Sequence, residues 1–473
     1  MNIDEKIETL FQPISELITS IIFGSFSAFE TNIPFIVVWL VFASLFFTFY
    51  FNFVNLRFFN RAIMVARGKF DKPSDPGEVS HFQSFTAAMS GTIGLGNIAG
   101  VAVAISIGGP GATLWMIITA FFGMTLKFVE VSLGHRYRII HEDGTVSGGA
   151  IRYLSRGLEE CGYKKFGKIL AFFFAICCIG GSFGGGNMFQ ANQAFQQIIE
   201  ATGAEDSILQ GKGWLAGLVF AFVAGSIIIG GIKSIGKVTE KLVPLMALIY
   251  TFSCLFIIIS NYDLLPKTVL SIFSSAFNID ASVGGLLGSL IAGVKRAVFS
   301  NESGIGSAPI AYAAAKSSNY LNTGFMSLLS PVVDTIFVCS MTAFVIIITG
   351  VGQNADGIQG VELTSRAFES VFSWFPTILA IAITLFALST LITWSYYGLR
   401  CWTYLFGISK LSDYSFKLIF LSFTIIGTSM NLGSVINFSD SMIFAMSVPN
   451  IIGLYFLSSE LKKDLKKLGE QIG

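Results

Sequence analysis

Two long hydrophobic stretches of this chain are each interrupted near the middle by glycine and small polar residues. The first interruption covers residues 90–97 and reads Ser-Gly-Thr-Ile-Gly-Leu-Gly-Asn; the second covers residues 299–306 and reads Phe-Ser-Asn-Glu-Ser-Gly-Ile-Gly. Because apolar residues flank both, each stretch is typical of a membrane helix that unwinds halfway across the bilayer. Unwound backbone at that depth is tolerated only where it is buried in protein or lines a cavity. Two such breaks at matching places in two halves indicate the binding site of a secondary transporter.

The composition predicts that the whole chain, and not only these stretches, lies in a membrane. Hydrophobic residues make up 53% of the 473 residues and charged residues only 12%, whereas a soluble domain carries about 25% charged residues. We predict an all-α polytopic membrane protein with eleven transmembrane helices, since eleven runs are long enough to cross a bilayer core of about 30 Å. The runs cover residues 34–56, 82–107, 112–134, 168–199, 214–232, 241–260, 284–314, 324–350, 371–398, 416–431 and 435–457.

The positive charges predict the orientation of these helices. If the segment after the first run is cytoplasmic, most of the 30 Lys and Arg residues fall on cytoplasmic segments, as the positive-inside rule requires. This places the N-terminus outside and the C-terminus in the cytoplasm. The acidic start, Met-Asn-Ile-Asp-Glu, lacks the basic region of a signal peptide, so we expect the plasma membrane of a prokaryote. A net charge of +1 argues against a nucleic-acid partner.

The two breaks divide the chain into two halves with the same number of helices. Residues 1–57 hold the first run, preceded by an amphipathic segment with apolar residues at three- and four-residue steps. That segment lies either on the outer membrane face or against the bundle. Residues 58–260 and 261–459 hold five runs each, and residues 460–473 form a cytoplasmic tail. Because an odd number of helices inverts the second set, we predict a 5+5 inverted repeat whose first and sixth core helices are broken.

Several motifs, in this order along the chain, resemble the alanine or glycine:cation symporter family. They are Gly-Leu-Gly-Asn-Ile-Ala-Gly-Val-Ala at 94–102, Gly-Gly-Pro-Gly-Ala at 108–112, Phe-Ser-Asn-Glu at 299–302, Gly-Ser-Ala-Pro-Ile-Ala at 306–311, Asp-Thr at 334–335, Ser-Thr at 389–390 and Trp-Ser-Tyr-Tyr-Gly at 394–398. The resemblance covers roughly residues 80–400. It implies the LeuT-type fold and sodium-coupled uptake of a small neutral amino acid, alanine or glycine.

The first break is the predicted site for the substrate carboxylate. The half-helix after Gly94 presents free N–H groups, and its positive dipole end attracts an anion. We expect the amides of Leu95 and Gly96 to hold the carboxylate, with Thr92 or Asn97 helping. The alternative is that the glycines only permit close packing of helices.

The second break is the predicted site for the substrate ammonium. Carbonyl groups freed at Phe299, Ser300 and Asn301, together with the Asn301 side chain, are suitable acceptors. Glu302 lies in the break itself, where an unpaired charge is expensive. We expect it to support the site through hydrogen bonds to the first break; carrying a proton in the coupling cycle is the alternative.

Two further side chains are expected to line the pocket. The resemblance places Gln190 there as both donor and acceptor, although a bond to another helix is the alternative for this residue. Trp394 and Phe299 are large, so they leave little room for a substrate side chain and favour glycine or alanine. Plain packing of these aromatic rings is the competing interpretation.

A sodium site is predicted where the first break meets the eighth core helix. Na⁺ prefers several oxygen ligands, and half-helix carbonyl ends coordinate it in such transporters. Ser389 and Thr390 supply adjacent hydroxyls, and Ser90 and Ile93 supply freed carbonyls. By itself, a Ser-Thr pair within a helix more often bonds to the preceding turn.

The remaining charges expected within the membrane have open roles. Lys127 and Glu130 are three residues apart on one helical face, which predicts an internal pair. Lys295 and Arg296 precede the second break on its outer side, where they form an extracellular gate or balance Asp334 or Glu302.

The predicted function is secondary active symport of alanine or glycine with Na⁺ by alternating access, without a cofactor and with membrane lipid as the surroundings. Proton coupling, through Glu302 or Asp334, and a non-transporting amino acid sensor are the alternatives. A channel needs a continuous polar lining, whereas the polar residues here are concentrated at two breaks. The sequence has no metal-ligand cluster, nucleophile–base arrangement or phosphate loop, so we expect no enzyme activity.

Overall fold

The computed structural model describes residues 3–28, 31–72, 74–142, 144–278, 285–353 and 360–472, which are almost entirely helical. Residue 284, where the seventh predicted run begins, and residues 1, 2 and 473, at the ends of predicted domains, lie outside the described residues. The first elements are α1 (Ile3–Ile22), the antiparallel strands β1 (Ser25–Ala28) and β2 (Thr31–Pro34), and α2 (Phe35–Tyr50).

The first predicted half contains the first broken helix and its neighbours. Helix α3 (Val54–Arg57) still belongs to the preceding unit. The elements of the first half are α4 (Phe59–Ala66), α5 (His81–Thr92), α6 (Ala99–Gly108), α7 (Ala112–Arg136), β3 (Ile139–Ile140), β4 (Val146–Ser147), α8 (Ala150–Arg152), α9 (Leu158–Glu160), α10 (Lys164–Phe183), α11 (Phe189–Ala201), α12 (Gly213–Ile228) and α13 (Gly231–Ser260). The π-helical turns Tyr153–Gly157 and Gly184–Met188 join α8 to α9 and α10 to α11.

The second predicted half contains the second broken helix. Its elements are α14 (Leu265–Ala276), α15 (Gly285–Asn301), α16 (Pro309–Tyr312), α17 (Tyr320–Ser327), α18 (Leu329–Pro331), α19 (Ser340–Ile348), α20 (Val361–Glu369), α21 (Phe375–Phe406), α22 (Lys410–Ser429) and α23 (Leu432–Ile472). The π-helical segment Val332–Cys339 joins α18 to α19.

Helices of membrane-spanning length dominate the structure. Within the described ranges, six helical segments are long and apolar enough to cross a bilayer: Ala112–Arg136, Lys164–Ala201, Gly231–Ser260, Tyr320–Ile348, Phe375–Phe406 and Leu432–Glu470. Shorter apolar helices are α2, α6 and α12. Every predicted run contains at least one helix, while the number of crossings and the repeat arrangement stay predictions. The protein is an integral membrane protein built from helices.

Some boundaries differ from the predicted ones for local reasons. Helix α2 ends at Tyr50, before the predicted boundary at 56, because Asn52 and Phe53 adopt left-handed φ angles of 49° and 52°. Helices α14 and α20 were not among the predicted runs, because they have only 12 and 9 residues and are too short to cross a bilayer. Helix α23 continues without a break through residue 460, so the predicted tail is a helical extension of the last span.

Helix α1 packs on the bundle through one side and exposes the other. Asp4 accepts bonds from the first amides of α12, at Gly213 N (2.9 Å), and Ser15 Oγ donates to Ser434 O of α23 at 2.8 Å. The opposite side is a stripe of exposed apolar side chains, namely Leu10, Ile14, Leu17 and Ile21. Contact with the bundle, one of the two alternatives, is therefore present together with an apolar outer face.

The two broken helices run antiparallel, side by side. Helix α5 packs against α16, and α6 packs against α15, so the first half of each broken helix contacts the second half of the other. Helix α7 lies along α15, and α21 packs against α5, α10 and α11. This arrangement brings both breaks to one buried place in the centre of the bundle.

Candidate functional site

The first break lies between α5 and α6, where backbone amides lose their helical partners and side chains replace them. Gly94 N donates to Asn97 Oδ1 at 2.9 Å, and Leu95 N donates to Gln190 Oε1 at 2.9 Å. All four residues are buried. The structure therefore brings together the predicted carboxylate donor Leu95 and the predicted pocket residue Gln190. Thr92, in contrast, donates to Met89 O of its own helix at 3.2 Å.

The second break follows Asn301, and its conformation is unusual for a residue with a side chain. Glu302 has a φ of 57°, in the left-handed region, as do Gly304 (91°) and Gly306 (78°). The Glu302 carboxylate accepts from Ser307 Oγ at 2.5 Å. This hydrogen bond lies within the second break, whereas the sequence predicted a bond to the first. It closes the turn, because Ser307 lies two residues before the last short section of the broken helix, which begins at Pro309.

Asp334 connects the two breaks. Its Oδ1 accepts from Asn97 Nδ2 of the first break at 2.7 Å, and its Oδ2 accepts from Ser300 Oγ of α15 at 2.8 Å. Thr335 Oγ1 also donates to Asp334 Oδ2, at 2.7 Å, and accepts from Asn301 Nδ2 at 3.1 Å. A fully buried carboxylate thus lies among polar groups of both breaks. The sequence marked Asp334 as a possible coupling residue, but only the fold shows its partners.

The predicted sodium ligands meet between α5 and α21. Thr390 Oγ1 donates to Ser90 O at 2.9 Å and lies 3.5 Å from Ile93 O. Ser90 Oγ donates to Ser389 O at 2.7 Å. The Ser389 hydroxyl donates to Phe386 O, one turn earlier, at 2.9 Å, as the alternative interpretation for such a pair expects. Thr390, Ser90 and Ile93 therefore share one oxygen cluster, with the Ser389 hydroxyl directed along its own helix.

The aromatic residues form the walls around the breaks. Trp394 Nε1 donates to Gly91 O at 3.2 Å, and a Cβ added at Gly186 would lie 2.3 Å from the Trp394 side chain. The Phe299 ring packs edge-on against Phe189 at 5.1 Å between centroids. Both predicted pocket aromatics are buried. The glycine of the π-helical turn is required because it leaves space for the indole.

Close approach is also required at Gly94 and Gly96. A Cβ at Gly94 would lie 2.4 Å from Thr390 Oγ1, and a Cβ at Gly96 would lie 3.3 Å from Phe299 Cδ1. The first break therefore touches both the oxygen cluster and the second broken helix through its glycines. No larger residue fits at Gly94 without movement of buried, hydrogen-bonded side chains.

Two buried charges on α7 are directed at the second break. Lys127 Nζ donates to Asn301 O, the carbonyl at the end of α15, at 2.7 Å. Glu130 Oε1 accepts from Gly306 N at 3.0 Å and from the Asn450 side chain. The predicted pair between Lys127 and Glu130 was wrong, since no ion pair within 4 Å joins them in the described part of the chain. Each charge instead bonds to a backbone group freed at the break, Lys127 to the Asn301 carbonyl and Glu130 to the Gly306 amide.

The later turns of α15, just before the break, are held by a carboxylate that the sequence did not single out. Arg296 forms a buried ion pair with Asp440 of α23, and Lys295 Nζ lies 3.7 Å from the same carboxylate. The Arg296 guanidinium also lies over the Phe299 ring, 4.9 Å from its centroid. Asp440, and not Asp334 or Glu302, therefore balances these cations. The sequence signal that could have indicated Asp440 is the short polar stretch at residues 431–441, which contains it.

The opposite end of the second broken helix is held by Arg138. Its guanidinium donates to four backbone carbonyls, those of Ala313 (2.7 Å), Ala315 (2.6 Å), Pro76 (2.7 Å) and Ser317 (2.8 Å). Burial lowers the pKa of Arg138 to about 10, so the side chain stays charged at neutral pH. Sequence reasoning treated this residue only as a cytoplasmic positive charge. Arginines thus fix the broken helix on both sides of the break, Arg296 from within α15 and Arg138 after α16.

Comparison with known proteins agrees with this architecture. A model of the sodium:alanine symporter family matches residues 16–472. The sodium/alanine symporter AgcS of Methanococcus maripaludis is 38% identical over 92% of this chain and 94% of its own length. The probable sodium/glutamine symporter GlnT of Bacillus subtilis is 33% identical over 92% of this chain and 88% of its own. The crystal structure of MhsT in complex with L-phenylalanine aligns with a TM-score of 0.59, at 14% identity, over 81% of this chain and 89% of that one. The last likeness shows the LeuT-type fold alone.

Proposed function

The chain belongs to the sodium:alanine symporter family, and from that premise we propose that it imports alanine and glycine together with Na⁺ by alternating access. It is a transporter and not an enzyme. The observation that carries the proposal is the buried meeting point of the two breaks. There the Leu95 amide and Gln190 lie beside the oxygen cluster of Thr390, Ser90 and Ile93.

The substrate carboxylate takes its place at the first break. In the structure the Leu95 amide is satisfied by the Gln190 side-chain oxygen, so a carboxylate oxygen replaces that acceptor without leaving a donor unpaired. The Gln190 side-chain nitrogen already donates one N–H to Gly185 O at 2.8 Å, so its second N–H and the Gly96 amide are the further donors. The N-terminal end of α6 adds a favourable dipole. This binds an anion with neutral groups and avoids a buried counter-charge.

The substrate ammonium takes its place at the second break. The acceptors of Asn301 are already used, because its carbonyl accepts from Lys127 Nζ and its side-chain oxygen accepts from Ser303 N at 3.0 Å. We therefore assign the ammonium to the carbonyls of Phe299 and Ser300. The rings of Phe299 and Trp394 limit the remaining space, which favours a hydrogen or methyl side chain.

Sodium couples to the substrate through the oxygens next to the same break. The carbonyls of Ser90 and Ile93 and the hydroxyls of Ser389 and Thr390 are hard oxygen donors, and Na⁺ at such half-helix ends is the common pattern in these transporters. Asp334 contributes negative charge to both breaks and thereby favours a cation nearby. Entry of each positive charge along a membrane potential of 100 mV supplies about 2.3 kcal/mol.

We assign the overall organisation on the basis of the antiparallel broken helices. Residues 58–260 and 261–459 form the two inverted five-helix repeats, residues 1–57 form a peripheral unit, and the tail from residue 460 begins as the cytoplasmic extension of α23, which ends at Ile472. The protein resides in the cell membrane with its N-terminus outside. The side-by-side packing of α5 with α16 and of α6 with α15 supports the inversion.

Transport by the purified protein in proteoliposomes tests this function. Labelled alanine and glycine are supplied with external Na⁺, and then with choline in its place, at constant pH. We expect uptake to require Na⁺ and to rise with an inside-negative potential. Undiminished uptake in choline that follows a pH gradient would assign the coupling to protons. Sodium-dependent alanine binding without counterflow of labelled alanine would identify a sensor.

A further inference from the structure

A charged cavity separate from both breaks lies between the end of α2 and the last turns of α23. It measures about 680 Å³. We call it the basic groove and define it by Tyr50, Phe51, Arg57, Lys462, Lys463 and Lys466, which line it. The transport site uses none of these residues. Under the proposed orientation the groove faces the cytoplasm.

The charges of α23 are divided between its two sides. Two of its acidic residues, Glu460 and Asp464, lie on the side toward α7, where they pair with Arg136 at 2.9 Å and 3.0 Å. The lysines at 462 and 463 face the groove, and within the described ranges no carboxylate lies within 4 Å of either. Positive charge therefore concentrates in the cavity and is not cancelled by the protein.

One carboxylate and one aromatic ring moderate this charge. Glu470 lines the groove and lies 3.9 Å from Lys466. Lys462 Nζ lies 3.9 Å above the centroid of the Tyr50 ring, which orients the ammonium. Arg57 and Lys463 are exposed, and no ion pair engages them in the part of the chain that the structure describes. The groove thus offers several donors to one anionic group.

The groove continues into the apolar outer face of α2. Tyr50 stacks on Phe46 at 5.4 Å between centroids, and Phe46 stacks on Phe42 at 6.4 Å. Phe42 and Phe49 are 59% and 60% exposed, as expected for side chains that face acyl chains. A ligand with a charged end in the groove would therefore have an apolar surface directly beside it. A free phosphate ion uses only the first of these features.

We propose that the basic groove binds an anionic phospholipid, with its phosphodiester headgroup among the lysines and its acyl chains along the aromatic face of α2. Basic pockets between transmembrane helices on the cytoplasmic side bind such headgroups. The headgroup bridges the peripheral helix α2 to the end of α23.

Native mass spectrometry of the full chain, released from nanodiscs of mixed phosphatidylglycerol and phosphatidylcholine, tests the proposal. The test variant is Lys462→Gln/Lys463→Gln, and the matched control is Lys165→Gln/Lys168→Gln, which removes two exposed lysines from the start of α10. Each lysine near an anionic headgroup contributes a factor of about five. We expect the groove variant to lose phosphatidylglycerol about thirtyfold and the control to retain it.

Three outcomes would overturn the proposal. Equal retention of both lipids by the unmodified protein, or equal loss in the groove and control variants, would show that no specific lipid site exists. Displacement of phosphatidylglycerol by millimolar inorganic phosphate would show a site for a free anion. Thermal unfolding of each variant verifies that the comparison is made on folded protein; we expect it to be nearly unchanged, because Lys463, Lys165 and Lys168 are exposed and Lys462 is only half-buried.

Discussion

Replacement of Gly94 by alanine is the sharpest test of how the first break serves both ligands. The added Cβ would lie 2.4 Å from Thr390 Oγ1 and 2.9 Å from Gln190 Oε1. Thr390 now donates to Ser90 O, and Gln190 accepts from Leu95 N, each at 2.9 Å. Relief of the overlap moves both side chains away from these partners.

The size of the effect follows from those contacts. Overpacking a dense interior costs about 1–3 kcal/mol, and each disrupted hydrogen bond costs about 1 kcal/mol. Only the bond from Thr390 to Ser90 counts against binding, because the substrate carboxylate itself replaces the bond between Leu95 and Gln190, so the penalty is about 2–4 kcal/mol. At 1.4 kcal/mol for each factor of ten, Gly94→Ala should weaken sodium-dependent alanine binding by at least about thirtyfold.

Equilibrium binding of labelled alanine to purified protein, measured across a range of Na⁺ concentrations, gives this number. Gly96→Ala provides a graded comparison, since its Cβ would lie 3.3 Å from Phe299 Cδ1, and Gly433→Ala is the control, with nothing within 4 Å. We expect a large loss at Gly94, a smaller one at Gly96 and none at Gly433. Thermal unfolding separates lost binding from lost folding. A well-folded Gly94→Ala protein with unchanged affinity and sodium dependence would refute the proposed role of the break.

Three further substitutions test other parts of the site. Trp394→Ala removes the ring packed against Gly186 and should widen acceptance to larger amino acids, measured by competition with alanine uptake; unchanged selectivity would contradict a pocket role. Asp334→Asn replaces the carboxylate shared by both breaks and should raise the Na⁺ concentration for half-maximal uptake at least tenfold. An equal rise in the alanine concentration for half-maximal uptake, measured at saturating Na⁺, would indicate general damage to the site. Arg138→Gln removes the charge that holds four carbonyls and should slow transport while increasing hydrogen exchange at residues 313–317; unaltered exchange would exclude this closing role.

The general outline of the fold follows from the sequence because its causes are local. Hydrophobic runs of bilayer length and glycine-rich interruptions at 90–97 and 299–306 are visible as patterns, and each run contains a helix. The end of α2 at Tyr50 was not predictable in this way, because it depends on left-handed φ angles at Asn52 and Phe53. Short helices such as α14 also escaped, because the runs were identified by the length needed to cross a bilayer, which its 12 residues do not reach.

The partners of the site residues were harder to predict because they depend on distant contacts. Leu95 and Gln190 are 95 positions apart in the sequence, and Arg296 and Asp440 are 144 positions apart. Hydrophobic periodicity describes single helices and cannot predict contacts between residues so far apart. The error at Lys127 has the same origin. The three-residue spacing to Glu130 predicts a pair on an isolated helix, but the carbonyl freed at the second break is a stronger competitor.

For the symport that we propose, Asn97 gives a physical reason for the coupling of substrate to cation. Its side-chain oxygen accepts from Gly94 N, next to the proposed carboxylate site, while its side-chain nitrogen donates to Asp334 at 2.7 Å. Its backbone carbonyl accepts from Thr342 Oγ1 at 2.7 Å, which fixes the break to the neighbouring helix. A cation that draws the Asp334 carboxylate toward itself alters the hydrogen bond that orients Asn97 and, through it, the Gly94 amide. Gly94 also packs against Thr390, so the Asp334 carboxylate and the oxygen cluster of Thr390, Ser90 and Ile93 both act on one short piece of backbone. We therefore expect the empty and the loaded forms of this break to differ in how well they receive a carboxylate.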